Sequence, residues 1–461
     1  MTLDELFIDY EKRNPNSKKA WEEAKQIIPG GVSGNVKFYS PFPLYMKEGR
    51  GAYLTDLDNH KYIDYCLSYG PMILGHDRKE INEEIDEYLN NHGSVLYGPP
   101  HEGEYELAKL IKKHFPSIEM LRFTNSGTEA TLLAIRMAKA YSGKKKVAKF
   151  EGHYHGGHND VLVSVSPKVS NAGDEHRPLS VPSSKGITDE QLDNTVVLPF
   201  NDFKSCKAII ESMKDELSCV ILEPLQGGTI PASQEFMDGL REITHRLGII
   251  LIFDEVKTGF RVGLGGAQEV YNIKPDLTTL GKIIGGGFPI GLVGGRKDIV
   301  EQVDPNMISF FNKDKTINRS TEILFHSGTY NGHPMIMAVG VKTLEILKNE
   351  IDELFKNTEA LKEGIREQFE KKGIHILTPG IGAVFNICIT DQDEIKSYRD
   401  MKKCDMSLRR IIDYMLMKEG IYNKPCTRYY ISTAHDDGII DETINAYKRV
   451  LDVMIIKKYI S

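Results

Sequence analysis

Lys282 stands in the run TTLGKIIGGG, among small residues and directly ahead of a triple glycine. A lysine amine adds to carbonyl carbons to form a Schiff base, and it must be deprotonated to attack, which a partly desolvated pocket favours. Flanking glycines let a second molecule approach that amine closely. Taken alone, the segment also suits a plain surface lysine beside a flexible loop. Asp254 ends the apolar run GIILIFD. Ligands of open α/β sheets bind at the carboxyl ends of strands, where an acid can pair with a protonated ring nitrogen. An ordinary helix-capping acid is the alternative there. Asn125-Ser126-Gly127-Thr128 lies between the strand-like LRFT and the helix-like EATLLAIRMAKAY. Backbone N–H groups at a helix start, with two hydroxyls beside them, suit a phosphate, although Ser and Thr also serve as plain N-caps. Tyr154, in FEGHYHGGH, can stack on a flat heteroaromatic ring. The spacing of His153, His155 and His158 in that segment lacks the cysteine or carboxylate partners of a metal site, and no metal is expected.

Such residues need rigid elements to hold them. The runs KKVAKF, NTVVLPF, SCVILEP, GIILIFDE and PIGLVGG read as buried parallel strands. ELAKLIKKHF, EATLLAIRMAKAY and MDGLREITHRLG read as amphipathic helices between or before them. This alternation predicts an α/β fold, with a large domain over residues 66–318 built on a mainly parallel sheet covered by helices on both faces. Ahead of it, PLYMKEGRGAYLTDLDNHKYIDY alternates apolar and polar residues around Asp58-Asn59, which predicts short antiparallel strands joined by a turn. Residues 16–28 read as a helix stopped by Pro29-Gly30-Gly31. Residues 333–371 read as helix, 374–389 as strands and 441–455 as a last helix. Residues 1–65 and 319–461 are therefore expected to form a smaller α+β domain from both termini. The longest stretch without periodicity runs from Ser166 to Asp193, and loops of that length are often lids or disordered.

The totals exclude several classes. With 461 residues, 40% hydrophobic and 27% charged, the chain matches a globular protein large enough for two domains. The balance of 58 basic and 65 acidic side chains, without a long run of either sign, argues against nucleic acid or a membrane surface as partner. The first ten residues do not read as a secretory signal, and no apolar stretch reaches the ~20 residues needed to cross a bilayer. Six scattered cysteines without a C-x-x-C pair suggest neither disulfides nor a zinc ribbon, so a reducing cytoplasm is expected. A dinucleotide enzyme is disfavoured, because neither GLGGAQ nor GGGFPIG gives G-x-G-x-x-G in a strand-to-helix turn followed by an acid.

Together, PGGV at 29–32, GPMILGH at 70–76, NSGTEAT at 125–131, FEGHYHGGH at 150–158, FDEVKTGFRVGLGGAQ at 253–268, PDLTTLGKIIGGGFPIG at 275–291 and SGTYNGHP at 327–334 resemble the class III, fold type I, pyridoxal-phosphate aminotransferases. Within these, the chain is most similar to the glutamate-1-semialdehyde aminomutases. The resemblance implies pyridoxal 5'-phosphate as cofactor, passing through its pyridoxamine 5'-phosphate form, with Lys282 as Schiff-base lysine and proton shuttle. It implies that Asp254 pairs with the pyridinium nitrogen, that Val256 and Tyr154 contact the ring, and that Ser126, Gly127 and Thr128 bind the phosphate. Thr329 would reach the phosphate of a neighbouring subunit, which makes a homodimer with a dimer-facing segment beginning near residue 319.

The implied reaction moves an amino group between an amino acid or amine and a carbonyl acceptor. A glutamate-1-semialdehyde 2,1-aminomutase making 5-aminolevulinate is the alternative, and an amino-acid racemase or epimerase of the same fold comes third. VPSSKGI at 181–187 resembles part of the aminomutase's mobile loop. Against the mutase, the arginine that the family places after PGGV for the substrate carboxylate aligns with Lys37, and a nearby serine aligns with Gly34. Lysine lacks the two-pronged donor geometry of arginine. Arg428 stands where the mutase carries an acid, which suggests that Arg428 with Lys37 holds a carboxylate, unless Arg428 is a surface ion-pair residue. The segment 308–328 is longer than the aminomutase pattern needs and is expected to reshape the dimer-side wall of the pocket.

Overall fold

The computed structural model describes residues 2–305 and 324–456. The chain forms two compact units, one of Met1–Asn82, Asn349–Ile395 and Lys403–Ser461, the other of Glu83–Lys348 and Lys396–Lys402. Most of the segment at 308–328 that the sequence singles out lies outside the described residues.

The second unit is organised by seven strands, β1 (Met120–Thr124), β2 (Lys146–Phe150), β3 (Thr195–Leu198), β4 (Leu217–Leu222), β5 (Ile250–Asp254), β6 (Leu277–Gly281) and β7 (Gly291–Gly295). Their order in the sheet is β1-β7-β6-β5-β4-β2-β3. Only β7 runs against its neighbours; the β6-β5, β5-β4, β4-β2 and β2-β3 pairs are parallel. The predicted mainly parallel sheet is therefore present. Every position of β4, β5 and β6 is buried, as unbroken apolar runs require when both faces are covered.

Alternation along each strand assigns the two faces. Val147, Ile221, Ile252, Leu277 and Val293 pack in one cluster with Leu133, Ala134, Met137 and Ala138 of helix α1 (Gly127–Ser142). Phe150, of opposite parity to Val147, meets Phe236 of helix α2 (Gln234–Leu247) edge-on, with ring centroids 5.6 Å apart. Residues 166–193 are ordered through hydrogen bonds that periodicity does not reveal. Ser164 Oγ donates to the Leu179 carbonyl at 2.9 Å and accepts the Val181 N–H at 2.9 Å, and Thr188 caps the short helix Asp189–Asp193.

The first unit holds an antiparallel meander, Met46–Arg50, Tyr53–Asp56 and Lys61–Asp64, as the alternating pattern predicts. Its second turn is fixed by Asp56, whose carboxylate accepts the N–H groups of Asp58 and His60 and the Tyr62 hydroxyl. The C-terminal strand Ile421–Tyr422 adds in parallel to the third strand. The helix predicted over 16–28 is Pro15–Ala24, after which the chain continues in turns to Ile28. A preceding helix, Leu3–Arg13, is closed by a Thr2–Glu5 capping box. The long helix Pro334–Glu370 and the last helix Asp437–Ile456 match the expected positions.

His435, in the first unit, is fully buried, and its Nδ1 accepts from the Ser432 N–H and hydroxyl. Burial pulls its imidazole down to about 4. Between pH 4 and 6.5 the unfolded chain thus binds the proton that the folded chain refuses, so stability is lost as the pH falls through that window. His435→Gln is expected to shrink the loss between pH 7 and pH 4.5 by about 2 kcal/mol, measured by urea unfolding at both pH values.

Candidate active site

The residues singled out for chemistry in the second unit converge on the carboxyl ends of the parallel strands. Asp254 closes β5, and its register partner in β6 is Thr279, so Lys282, which follows the last residue of β6, leaves the sheet beside it. Parity separates the two acids of FDE. Asp254 turns one way, and its Oδ2 accepts from His155 Nδ1 at 2.7 Å, while Oδ1 accepts from Thr279 Oγ1 and the Val256 N–H. Glu255 turns the other way and accepts the N–H groups of Ala267 and Gln268 and the Thr258 hydroxyl. Burial pushes the Glu255 carboxyl up to about 7, with those donors pulling against it. Asp254 is therefore the acid that turns toward His155, and Glu255 is a buried clamp on the chain at 267–268.

Ser126 is the N-cap of α1, its Oγ accepting from the Glu129 N–H at 3.2 Å. The first N–H groups of α1 have no acceptor within the helix, which makes its start an anion site. Glycines let the pieces close on one another. A Cβ at Gly127 would lie 2.7 Å from Val256 Cγ1, and one at Gly281, just before Lys282, would lie 3.4 Å from the same atom and 3.9 Å from Gly127 Cα. Gly156, at φ +106°, brings the loop after β2 against Thr128, where a Cβ would meet Oγ1 at 2.7 Å. Lys282 itself has φ +51°, a left-handed conformation uncommon outside glycine and concentrated where function over-determines the backbone.

The loop after β2 carries Tyr154, a residue 45% exposed, between two buried histidines. The Tyr154 N–H donates to Glu223 Oε2 at 3.0 Å, and Glu223 forms a close ion pair with Lys257. Burial alone would raise the Glu223 carboxyl, but the Lys257 ammonium and the neighbouring imidazoles hold it well below the usual range. Lys257 Nζ lies 5.6 Å from the centre of the Tyr154 ring. Burial, with the Asp254 and Glu223 carboxylates nearby, pushes the Tyr154 phenol up. Thr329 is exposed, two residues before Asn331, whose Oδ1 accepts from Asn125 Nδ2 at 2.9 Å.

The strand ends thus offer what a phosphorylated pyridine aldehyde needs: an amine at Lys282, a buried carboxylate backed by an imidazole, and a helix start approached through glycine. The fit rests on the glycines at 127, 156 and 281, where a Cβ would crowd Val256, Thr128 and the Ile290 carbonyl.

Lys37 and Arg428 belong to the first unit. Lys37 lines a cleft of about 620 Å³ together with Ser33, Tyr69 and Tyr422, and its Nζ donates to Ser33 Oγ at 2.8 Å. Arg428 Nη1 donates to the Tyr430 hydroxyl at 3.4 Å. Lys424, four residues before Arg428, donates to the Val36 carbonyl, so the segments bearing Lys37 and Arg428 touch within this unit.

Sequence reasoning weighed His155 only as a metal ligand and passed over Glu223. The signal for Glu223 was present: SCVILEP ends an apolar strand in an acid, as GIILIFDE does.

The profile of the class-III aminotransferase family matches residues 36–452. The chain belongs to the class-III aminotransferases. Among its curated relatives is the glutamate-1-semialdehyde 2,1-aminomutase of Methanothrix thermoacetophila, 39% identical over 442 residues, which are 95% of this chain and 96% of that one. An omega-transaminase from Sphaerobacter thermophilus superposes with a TM-score of 0.89 at 33% identity, covering 96% of this class-III chain and 99% of the other. A transaminase solved with pyridoxal phosphate bound superposes with a TM-score of 0.85 at 29% identity, over 96% and 99% of the two chains. The expected fold type I architecture is the one this family member has. Among the described residues, no helix is long and apolar enough to cross a membrane.

Proposed function

We propose that this class-III enzyme is a pyridoxal-phosphate-dependent aminotransferase that moves an amino group between an amino acid or amine and a carbonyl acceptor, with Lys282 holding the cofactor. The observation that carries the reading is the placement of Lys282 and the buried, His155-paired Asp254 at the ends of adjacent parallel strands. When bound, the cofactor supplies an electron sink for the charge left as the substrate's Cα proton departs. With the cofactor bound, Lys282 Nζ would hold its aldehyde carbon, and the same amine is the group placed to take the substrate's Cα proton and return it as a general acid. Asp254 keeps the ring nitrogen protonated, and His155 fixes the carboxylate that does so. Ser126, Gly127 and Thr128 bind the phosphate at the start of α1. Val256 and Tyr154 contact the ring.

In a homodimer, the exposed Thr329 reaches the phosphate held by the neighbouring subunit. Lys37 and Arg428 receive a substrate carboxylate. A cytoplasmic location is supported by six cysteines scattered along the sequence without a C-x-x-C pair.

The second reading is the aminomutase, supported by the curated relative that bears that name over nearly the whole chain. Purified enzyme is to be given a panel of amino donors, each with and without a keto acid, and glutamate-1-semialdehyde alone. Turnover only with an added acceptor is expected. Conversion of glutamate-1-semialdehyde to 5-aminolevulinate without acceptor would establish the mutase and make Lys37 and Arg428 tolerated departures.

A further inference from the structure

Lys149, in the middle of β2, has no exposed surface. A fully buried lysine is uncommon and costly unless its amine is satisfied. Its Nζ donates to two backbone carbonyls, those of His153 at 3.0 Å and Val163 at 2.5 Å. These carbonyls belong to the loop that begins where β2 ends, and the residues after His153 are Tyr154 and His155. The same short stretch is held from its other sides. His153 Nδ1 accepts the Glu223 N–H at 3.0 Å, and the Tyr154 N–H donates to Glu223 Oε2. The His155 carbonyl accepts from Thr131 Oγ1 at 2.5 Å, and its Nδ1 is bonded to Asp254.

We propose that Lys149 is a positioning residue for the active site: by tying the His153 and Val163 carbonyls together it fixes the loop whose next two residues present the Tyr154 ring and hold the Asp254 carboxylate. The inference rests on the reading of the Asp254–Lys282 site as the cofactor site. Burial lowers the Lys149 ammonium to about 7, against the Glu223 and Glu151 carboxylates that raise it. A neutral amine keeps two N–H groups, one for each carbonyl, so the tie survives in either protonation state. An apolar side chain of the same length fills the space and leaves both carbonyls buried without this donor, and such groups are costly to leave unpaired.

The test compares wild type, Lys149→Met and Lys149→Gln, the last keeping a donor on a shorter chain. Hydrogen–deuterium exchange of the protein without cofactor is expected to speed up at least tenfold across 151–164 in Lys149→Met, with α2 unchanged. With pyridoxal phosphate added, its dissociation constant is expected to rise about tenfold, its visible circular dichroism to change, and kcat to fall more than tenfold while KM for the amino donor moves less than threefold. Lys149→Gln is expected to fall between the two. Exchange, cofactor dichroism and kcat all within twofold of wild type would overturn the proposal, as would failure of both variants to fold, since Lys149 would then serve the whole unit. Faster exchange in Lys149→Met, together with a wild-type protein that binds no pyridoxal phosphate, would leave the tie standing and overturn the cofactor reading and the positioning role built on it.

Discussion

Replacing Lys282 with alanine is expected to lower kcat by roughly 10³- to 10⁴-fold, the range general acid–base groups supply, while pyridoxal phosphate still binds through Asp254 and the start of α1. The expectation follows from position: Lys282 is the first residue beyond β6, at the strand end where Asp254 closes β5. A small primary amine added to the solution is expected to restore part of the lost rate, because the missing function is proton transfer at a site that now has room. Steady-state kinetics on the best amino donor reads both effects. A loss under tenfold would place the proton transfer elsewhere.

The second large effect is expected from Asp254→Asn, which keeps shape and removes charge. The amide still accepts from His155 but no longer holds a ring nitrogen in its protonated form, so kcat is expected to drop about 10²- to 10³-fold, comparable to removing one preorganised electrostatic partner. Glu255→Gln is the matched control, since Glu255 faces the N–H groups of Ala267 and Gln268. It is expected to lower the unfolding midpoint while kcat stays within about threefold. Equal kinetic losses in both variants would mean that the strand-end parity does not divide the roles.

That contrast also shows where sequence reading stops. The apolar runs that became β2, β3, β4, β5 and β7 are local signals, and a buried strand announces itself by composition but not by direction, since β7 reads as parallel and is antiparallel to both neighbours. Asp254 was legible because it ends such a run, and Lys282 because it stands among small residues ahead of a triple glycine; the strand before it, β6, was not legible in LTTLG. The choice of Asp254 over Glu255 comes with the family resemblance, since both acids lie at the strand end and the composition of the run does not separate them. His155 and Glu223 acquire their roles through partners far along the chain, Asp254 at 99 residues from His155 and His153 at 70 residues from Glu223, beyond any periodicity. Lys149 reads in KKVAKF as one more charged residue, and only the loop folding over β2 buries it. The meander of the first unit was legible from alternation, whereas the helix Leu3–Arg13 depends on a cap at Thr2 that short acidic segments rarely advertise.

The central claim is that Lys282 carries the cofactor, and borohydride reduction of the pyridoxal-phosphate-loaded protein followed by peptide mapping tests it most directly. The expected result is a phosphopyridoxyl group on the peptide containing Lys282, absent when Lys282→Ala is treated in the same way. A modified peptide containing Lys257 or Lys149 instead, or no stable modification of a protein that turns over amino donors, would contradict it.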